Sequence, residues 1–337
     1  MIDRVISRHT LEGLVIDPVE GVYAGELVLE GDRIASVHRR EDGPHEPLLF
    51  PGFVDLHVYD PSSVAASGVT GYLLATRELR TVDDPLCLGL HLEGPFLNTE
   101  AAGAIPVDEL RAVDPGLAEE WIAADGAVRL VTLAPELQGA LDVTERLAAA
   151  GIVVGLGHTR ANALTATAAI EAGARFATHL WNATRPVRAR TTGSVPTLLT
   201  DERVTVGLIA DGRHLHPLIE ELTVRVAGPA RIALTSDIVP PPAHRPDGSL
   251  LGGDRSGAAL VAHMARFGLQ EAATMASLVP AQLLGLADRG RIAPGFRADL
   301  AVLDLELRPV ATYVEGRRLP ADGGASGGMP PPSPRPR

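Results

Sequence analysis

The sequence predicts an α/β fold: a (β/α)8 TIM-like barrel with two shortened outer helices, joined to a small β-sandwich-like domain built from both chain ends. Three observations carry this. Eight short apolar runs recur through the middle of the chain, helical patterns separate several of them, and the two ends share a different character of apolar runs broken by turn signals. At 337 residues the chain can form one large core with a small appendage.

Residues 1–50 contain LEGLVID and GELVLEGDRIASV, the pattern of hairpins. The runs that follow fall near 53–57, 69–75, 87–93, 129–133, 152–156, 175–179, 205–210 and 231–236. Between them, Leu164, Ala168 and Ala172 recur every four residues, and Leu260, Met264 and Phe267 share a face, so strand and helix alternate. The gaps 60–68 and 76–86 are too short for a full crossover helix, which predicts two outer helices shortened or replaced. Residues 289–319 return to strand and turn, and 321–337 form a Gly/Pro tail that cannot bury enough apolar surface to order itself. The expected domains are therefore 1–50 with 289–320 as the small β-domain, 51–288 as the barrel, and 321–337 as a disordered tail.

Composition narrows the function classes. A net charge of −12 repels nucleic-acid phosphate, and no basic patch in the body overrides it. The single cysteine, Cys87, excludes an intrachain disulfide and a multi-cysteine zinc site, and its place in Leu86-Cys87-Leu88 reads as a buried small hydrophobe. The N-terminus lacks an apolar signal region and no stretch is long and apolar enough to span a membrane, so a cytoplasmic protein without membrane or nucleic-acid partners is expected.

The polar residues at the ends of these runs carry the chemistry. His57, Glu93, His158, His179 and Asp237 each lie at or just beyond the C-terminal end of a candidate strand, and in a barrel those ends converge on one face. A lone histidine at a strand end is usually a solvated or hydrogen-bonded group, but five such residues in register point to a pocket. Glu93, His158 and His179 supply a carboxylate and two imidazoles, a set that suits Zn²⁺ or a similar ion and can leave a position for water. His91, two positions before Glu93, reads equally as a group behind the site or a core residue. For Asp237 the alternative is a helix cap.

The motifs LLFPGFVDLHV, GLHLEGPFLN, GLGHTRANA, THLWNATRPVRAR, GLIADGRHLHP, LTSD and MASLVPAQLLGLADRGRIAPGFRADLAVLD, in this order from about residue 48 to 318, resemble the N-acetylglucosamine-6-phosphate deacetylase family of the amidohydrolase superfamily. The resemblance implies that Glu93, His158 and His179 bind one divalent ion, Zn²⁺ by preference, and that Asp237 is general base and then acid. It also implies that Asn182 and Ala183 with Arg190 hold an amino-sugar phosphate, joined by His214, which in such enzymes can reach across from a neighbouring subunit of a homodimer. Arginine fits phosphate with a planar fork of donors, so a pocket holding Arg185, Arg188, Arg190 and His214 would attract an anion despite the acidic balance.

Three features depart from the family pattern. Tyr59 stands where a two-metal member has the second histidine of His-x-His, which argues for a single ion. Ile105 follows Gly103-Ala104 where the family places a substrate-contacting histidine, and the two short gaps remove parts of the pocket wall. Besides deacetylation, two readings stay open: a metal-dependent amidohydrolase for another N-acyl or cyclic amide, or a sugar-phosphate binder with weakened catalysis.

Overall fold

In the computed structural model the described residues are 8–319, except 242, 245–247 and 249, so the expected tail lies outside them. Eight strands form one parallel sheet in sequential order: β5 (Phe53–Val58), β6 (Val69–Thr76), β7 (Cys87–Glu93), β8 (Val128–Leu133), β9 (Val153–Leu156), β10 (Phe176–Ala177), β11 (Thr205–Leu208) and β12 (Ile232–Leu234). The residues just beyond β12 close the ring against β5. The Asp237 N–H donates to the His57 carbonyl at 2.9 Å, and the Tyr59 N–H to that of Ile238 at 2.9 Å. Every residue of β5 is buried, as expected for a strand covered on both faces.

The connections differ around the ring. Those leaving β7 to β12 each carry at least one α-helix: α1 (Pro115–Ala123), α2 (Ala140–Ala149), α3 (Ala163–Glu171), α4 (Val195–Thr200), α5 (Pro217–Ala227), then α6 (Ala258–Met264), α7 (Leu269–Ala273) and α8 (Val279–Leu283). The connection leaving β5 has only two 3₁₀ turns, Pro61–Ser63 and Ala65–Ser67, and the one leaving β6 has no helix. The two outer helices expected to be short are thus reduced to turns and an irregular segment.

One expected helix face is wrong. Leu164 is 82% exposed, whereas Ala166, Ala169 and Ile170 of α3 are buried. Asn162 caps the helix by accepting from the Thr165 N–H, and the true stripe starts two positions later, about 200° around the axis. The second pattern holds better: Leu260 and Met264 are buried in α6, with Phe267 packed beside them.

The chain ends combine as expected, but into one seven-stranded sheet. Its order is β15 (Arg317–Arg318), β14 (Pro309–Val314), β13 (Leu300–Leu303), β4 (Leu48–Pro51), β1 (Arg8–Asp17), β2 (Gly21–Glu30) and β3 (Arg33–Arg39). β4 pairs parallel to β1 and antiparallel to β13, so it hydrogen-bonds the two ends together where a sandwich would stack them as separate sheets. Val15, Leu27, Ile34, Leu49 and Leu300 belong to this sheet's own core. Among the described residues no helix is long and apolar enough to cross a membrane.

Candidate active site

Glu93 is the last residue of β7, while His158, His179 and Asp237 follow β9, β10 and β12 within three residues, and His57 is the penultimate residue of β5. Glu93, His158 and His179 are all at least 95% buried. His158, His179 and Asp237 hold positive φ angles of 47°, 30° and 50°. Residues other than glycine adopt that region uncommonly, and local backbone strain of this kind gathers at functional sites. The turn carrying Asp237 depends on Gly253, where a Cβ would stand 2.0 Å from the Ser236 carbonyl oxygen. Gly253 also donates its N–H to the Asp237 carbonyl at 2.7 Å.

Glu93, His158 and His179 form a compact donor cluster. Glu93 Oε1 lies 3.1 Å from His158 Nε2 and 3.0 Å from His179 Nε2, and the two imidazole nitrogens are 3.2 Å apart. A tetrahedral zinc site with bonds of about 2.0–2.1 Å has ligand–ligand edges of about 3.3–3.4 Å, so three such atoms fit a single ion. The tautomer of His158 agrees: its Nδ1–H donates to the Ala101 carbonyl at 2.9 Å, leaving the Nε2 lone pair facing the cluster. The residues present therefore fit a divalent metal.

The other carboxylate oxygen of Glu93 is engaged differently. Tyr59 donates its phenol O–H to Oε2, and His57 Nε2 lies 3.5 Å from the same atom and 3.4 Å from Asp237 Oδ1. Burial disfavours a charge on His57, but the Glu93 and Asp237 carboxylates outweigh it and raise its pKa to about 9. The imidazole thus stands between the second oxygen of Glu93 and Asp237, where another cation would have to sit. Burial raises the Asp237 carboxyl above its ordinary value, with His57 pulling it down and Glu93 pushing it up. Beneath this layer His91 is a core residue, donating from Nδ1 to the Leu56 carbonyl at 2.8 Å and accepting at Nε2 from Thr132, which also bonds Thr178. Burial, helped by the nearby charge of His57, holds its pKa well below the ordinary value.

A cavity of about 540 Å³ opens over the cluster, within the usual range for small-molecule sites. Asn182, Ala183, His214, Asp237 and Ile105 line it. His214, expected from the resemblance to reach across from a neighbouring subunit, lines this chain's own cavity, where its Nδ1–H donates to Asp211 at 2.9 Å and its side chain is 7% exposed. Burial works to raise the Asp211 carboxyl, but bonds from the His214 side chain and from the His214 and Arg213 N–H groups lower it to about 2. Arg185, Arg188 and Arg190 do not line the pocket. Arg190 is exposed, because the chain after Pro186 runs outward into a turn closed by the Arg188–Thr191 bridge. The expected cluster of three arginines around the substrate is therefore not formed within one chain.

Sequence reasoning missed Arg77, which does line the cavity. It is the first residue beyond β6, so the strand-end rule that found Glu93 and Asp237 also points to it. Cys87 is half-buried rather than fully buried, and packs against the core with its thiol directed at the Gly89 carbonyl. Burial raises its pKa, away from a reactive thiolate.

Comparison with known proteins places this geometry in a family. Residues 61–322 match the Amidohydrolase family. An N-acetylglucosamine-6-phosphate deacetylase of Bos taurus is 37% identical, over 90% of this chain and 89% of the relative. An N-acetylgalactosamine-6-phosphate deacetylase of Shewanella is 32% identical, over 70% of this chain and 65% of the relative. Among solved structures, a mutant N-acetyl-D-glucosamine-6-phosphate deacetylase from Mycobacterium smegmatis, in complex with N-acetyl-D-glucosamine-6-phosphate, superposes with a TM-score of 0.85 at 28% identity, covering 93% of this chain and 99% of that one. With the family match spanning most of the barrel and the strand-end donor set in place, the chain belongs to the amidohydrolase family.

Proposed function

We propose that this protein hydrolyses N-acetylglucosamine 6-phosphate to glucosamine 6-phosphate and acetate, with one divalent ion, Zn²⁺ by preference, held by Glu93, His158 and His179. The observation that carries the reading is that these three donors, Asp237 and His214 meet at one cavity. Amidohydrolases are metal-dependent, and relatives bearing the deacetylase name match nearly the whole chain. The Tyr59 bond to Glu93 Oε2 and the His57 contact between Glu93 and Asp237 favour a single ion, since both occupy the side a second ion would need.

An ion bound at the cluster supplies Lewis-acid polarisation of the amide carbonyl and lowers the pKa of water. Asp237 takes a proton from the attacking water and returns it to the departing nitrogen as the C–N bond breaks. Tyr59 keeps Glu93 oriented, and the Ala101 carbonyl does the same for His158. Asn182, Ala183 and His214 face the phosphate, with Asp211 fixing the His214 ring so that Nε2 points to the cavity. Arg190 can serve the phosphate only when a second copy of the chain presents it, which makes a homodimer part of this proposal.

Acetate release from the phosphorylated and unphosphorylated sugars tests the reading. His214→Ala should raise KM for the phosphorylated sugar about 10-fold or more, the weight of one hydrogen bond to a charged group, and leave the unphosphorylated one nearly unchanged. Equal losses on both sugars, or no acetate from either with the wild type, would remove it.

A further inference from the structure

Arg77 is the one lysine or arginine among the described residues that lines the cavity. Its Nε–H donates to Glu109, on the 3₁₀ turn Val107–Glu109, and among the described residues its two terminal nitrogens donate no hydrogen bond. The side chains of this pair are 32% and 42% exposed, so the ion pair is a weak rim contact that a ligand can share. What remains free is the forked end of the guanidinium, the part that matches a carboxylate in two parallel hydrogen bonds.

Its place in the barrel fixes the wall of the cavity to which it belongs. The strands run in order from β5 to β12 around the ring, so β6, the second, stands across from β10, the sixth. Arg77 follows β6, while His179, Asn182 and Ala183 follow β10. An amide held over the donor cluster has two substituents, and the proposed function directs the sugar phosphate towards Asn182, Ala183 and His214. The acyl substituent then extends towards the wall of Arg77, with Ile105 and Pro106 offering apolar surface for intervening methylenes.

We propose that the acyl side of this pocket accepts N-acyl groups that end in a carboxylate, with Arg77 as the residue that selects them. The activity, which rests on the proposed sugar-phosphate orientation, is hydrolysis of N-malonyl- or N-succinyl-type amino-sugar phosphates. Water oxygen bonds to the acyl carbon, the C–N bond breaks, the nitrogen takes a proton, and a dicarboxylate leaves beside the free amino sugar phosphate; nothing is oxidised or reduced.

The test is a comparison of kcat/KM on N-acetyl-, N-malonyl- and N-succinylglucosamine 6-phosphate for the wild type, Arg77→Met and Glu109→Gln. The wild type should cleave at least one carboxyacyl substrate. Arg77→Met should lower kcat/KM on that substrate by about 10- to 100-fold, mainly through KM, as expected for a lost hydrogen bond to a charged group, and change the N-acetyl value by less than about 3-fold. Glu109→Gln, which removes the competing carboxylate charge held at Nε, should improve the carboxyacyl KM. Cleavage of the N-acetyl substrate alone would overturn this inference and leave the deacetylase reading standing. Cleavage of carboxyacyl substrates alone would support it while removing the acetyl preference, and equal losses in Arg77→Met on all substrates would make Arg77 structural. If no substrate is cleaved, both readings fall.

Discussion

The two sides of the barrel are built differently. The connections leaving β7 to β12 carry α-helices, and the candidate metal donors and Asp237 come from this side, each fixed at the end of a strand that a helix backs. The connections leaving β5 and β6 have lost their helices, and they contribute Tyr59 and Arg77, which touch Glu93 and the cavity wall. The difference teaches where rigidity is spent: donor atoms 3.0–3.2 Å apart need a supported backbone, whereas groups that orient a donor or meet the substrate tolerate a bare connection.

The sharpest way to break this comparison is at the seam, where Asp237 joins the last strand to the first. Asp237→Asn keeps the shape and most hydrogen bonding but removes the proton acceptor, so kcat should fall by at least about 10², with metal content unchanged. A cap would survive the change because Asn caps a helix about as well as Asp, and no helix begins between Asp237 and Ala258 among the described residues. Turnover near wild type in a normally melting, metal-loaded variant would show that Asp237 is not the base.

The supported side can be weakened from behind. Ile170→Ala, at a fully buried position of α3 between β9 and β10, should cost about 2–4 kcal/mol in denaturant unfolding, while Leu164→Ala on the same helix should stay within about 0.5 kcal/mol. Similar losses at both would mean that the helix packs in the phase first expected from the sequence.

On the bare side, Tyr59→Phe removes the phenol that Glu93 Oε2 accepts from, and metal affinity measured by competition with a chelator should weaken about 10- to 100-fold. An unchanged affinity would reduce Tyr59 to packing.

The smallest effect is a pH dependence. Because the Asp211 pKa is lowered from 3.8 to about 2, its stabilising contribution is fully present above pH 4 and is lost as pH falls towards 2. The size is about 2 kcal/mol. Urea unfolding at pH 5 and pH 2.5 should show the wild type losing more of its stability than Asp211→Asn does, and equal losses would mean that the His214 anchor contributes nothing in acid.

How much of this was legible follows from physics rather than luck. Glu93, His158, His179 and Asp237 could be read because a polar residue after a buried apolar strand has few places to go in a parallel barrel but its mouth. Arg77 obeys the same rule and was passed over because a lone arginine beside a gap looks like a solvated loop residue. Arg188 and Arg190 could not be placed for the opposite reason: beyond Pro186 no strand or helix period fixes where a side chain points, and neither lines the cavity of its own chain. The phase of α3 failed because its core face is Ala166, Ala169 and Ile170, and alanine also fills Ala163, Ala168 and Ala172, so hydrophobic periodicity gave little contrast. The merging of the two ends into one sheet depends on β4, whose pairing with β1 and β13 at long sequence separation no local pattern encodes.

The central claim is that Glu93, His158 and His179 hold a single catalytic ion while Tyr59 and His57 fill the neighbouring side. The most direct test is the divalent metal content per chain of the purified wild type, measured by elemental mass spectrometry. The account predicts about one ion per chain, consistent with a three-donor site that leaves a position open. A content near two would contradict it, as would active protein that holds none.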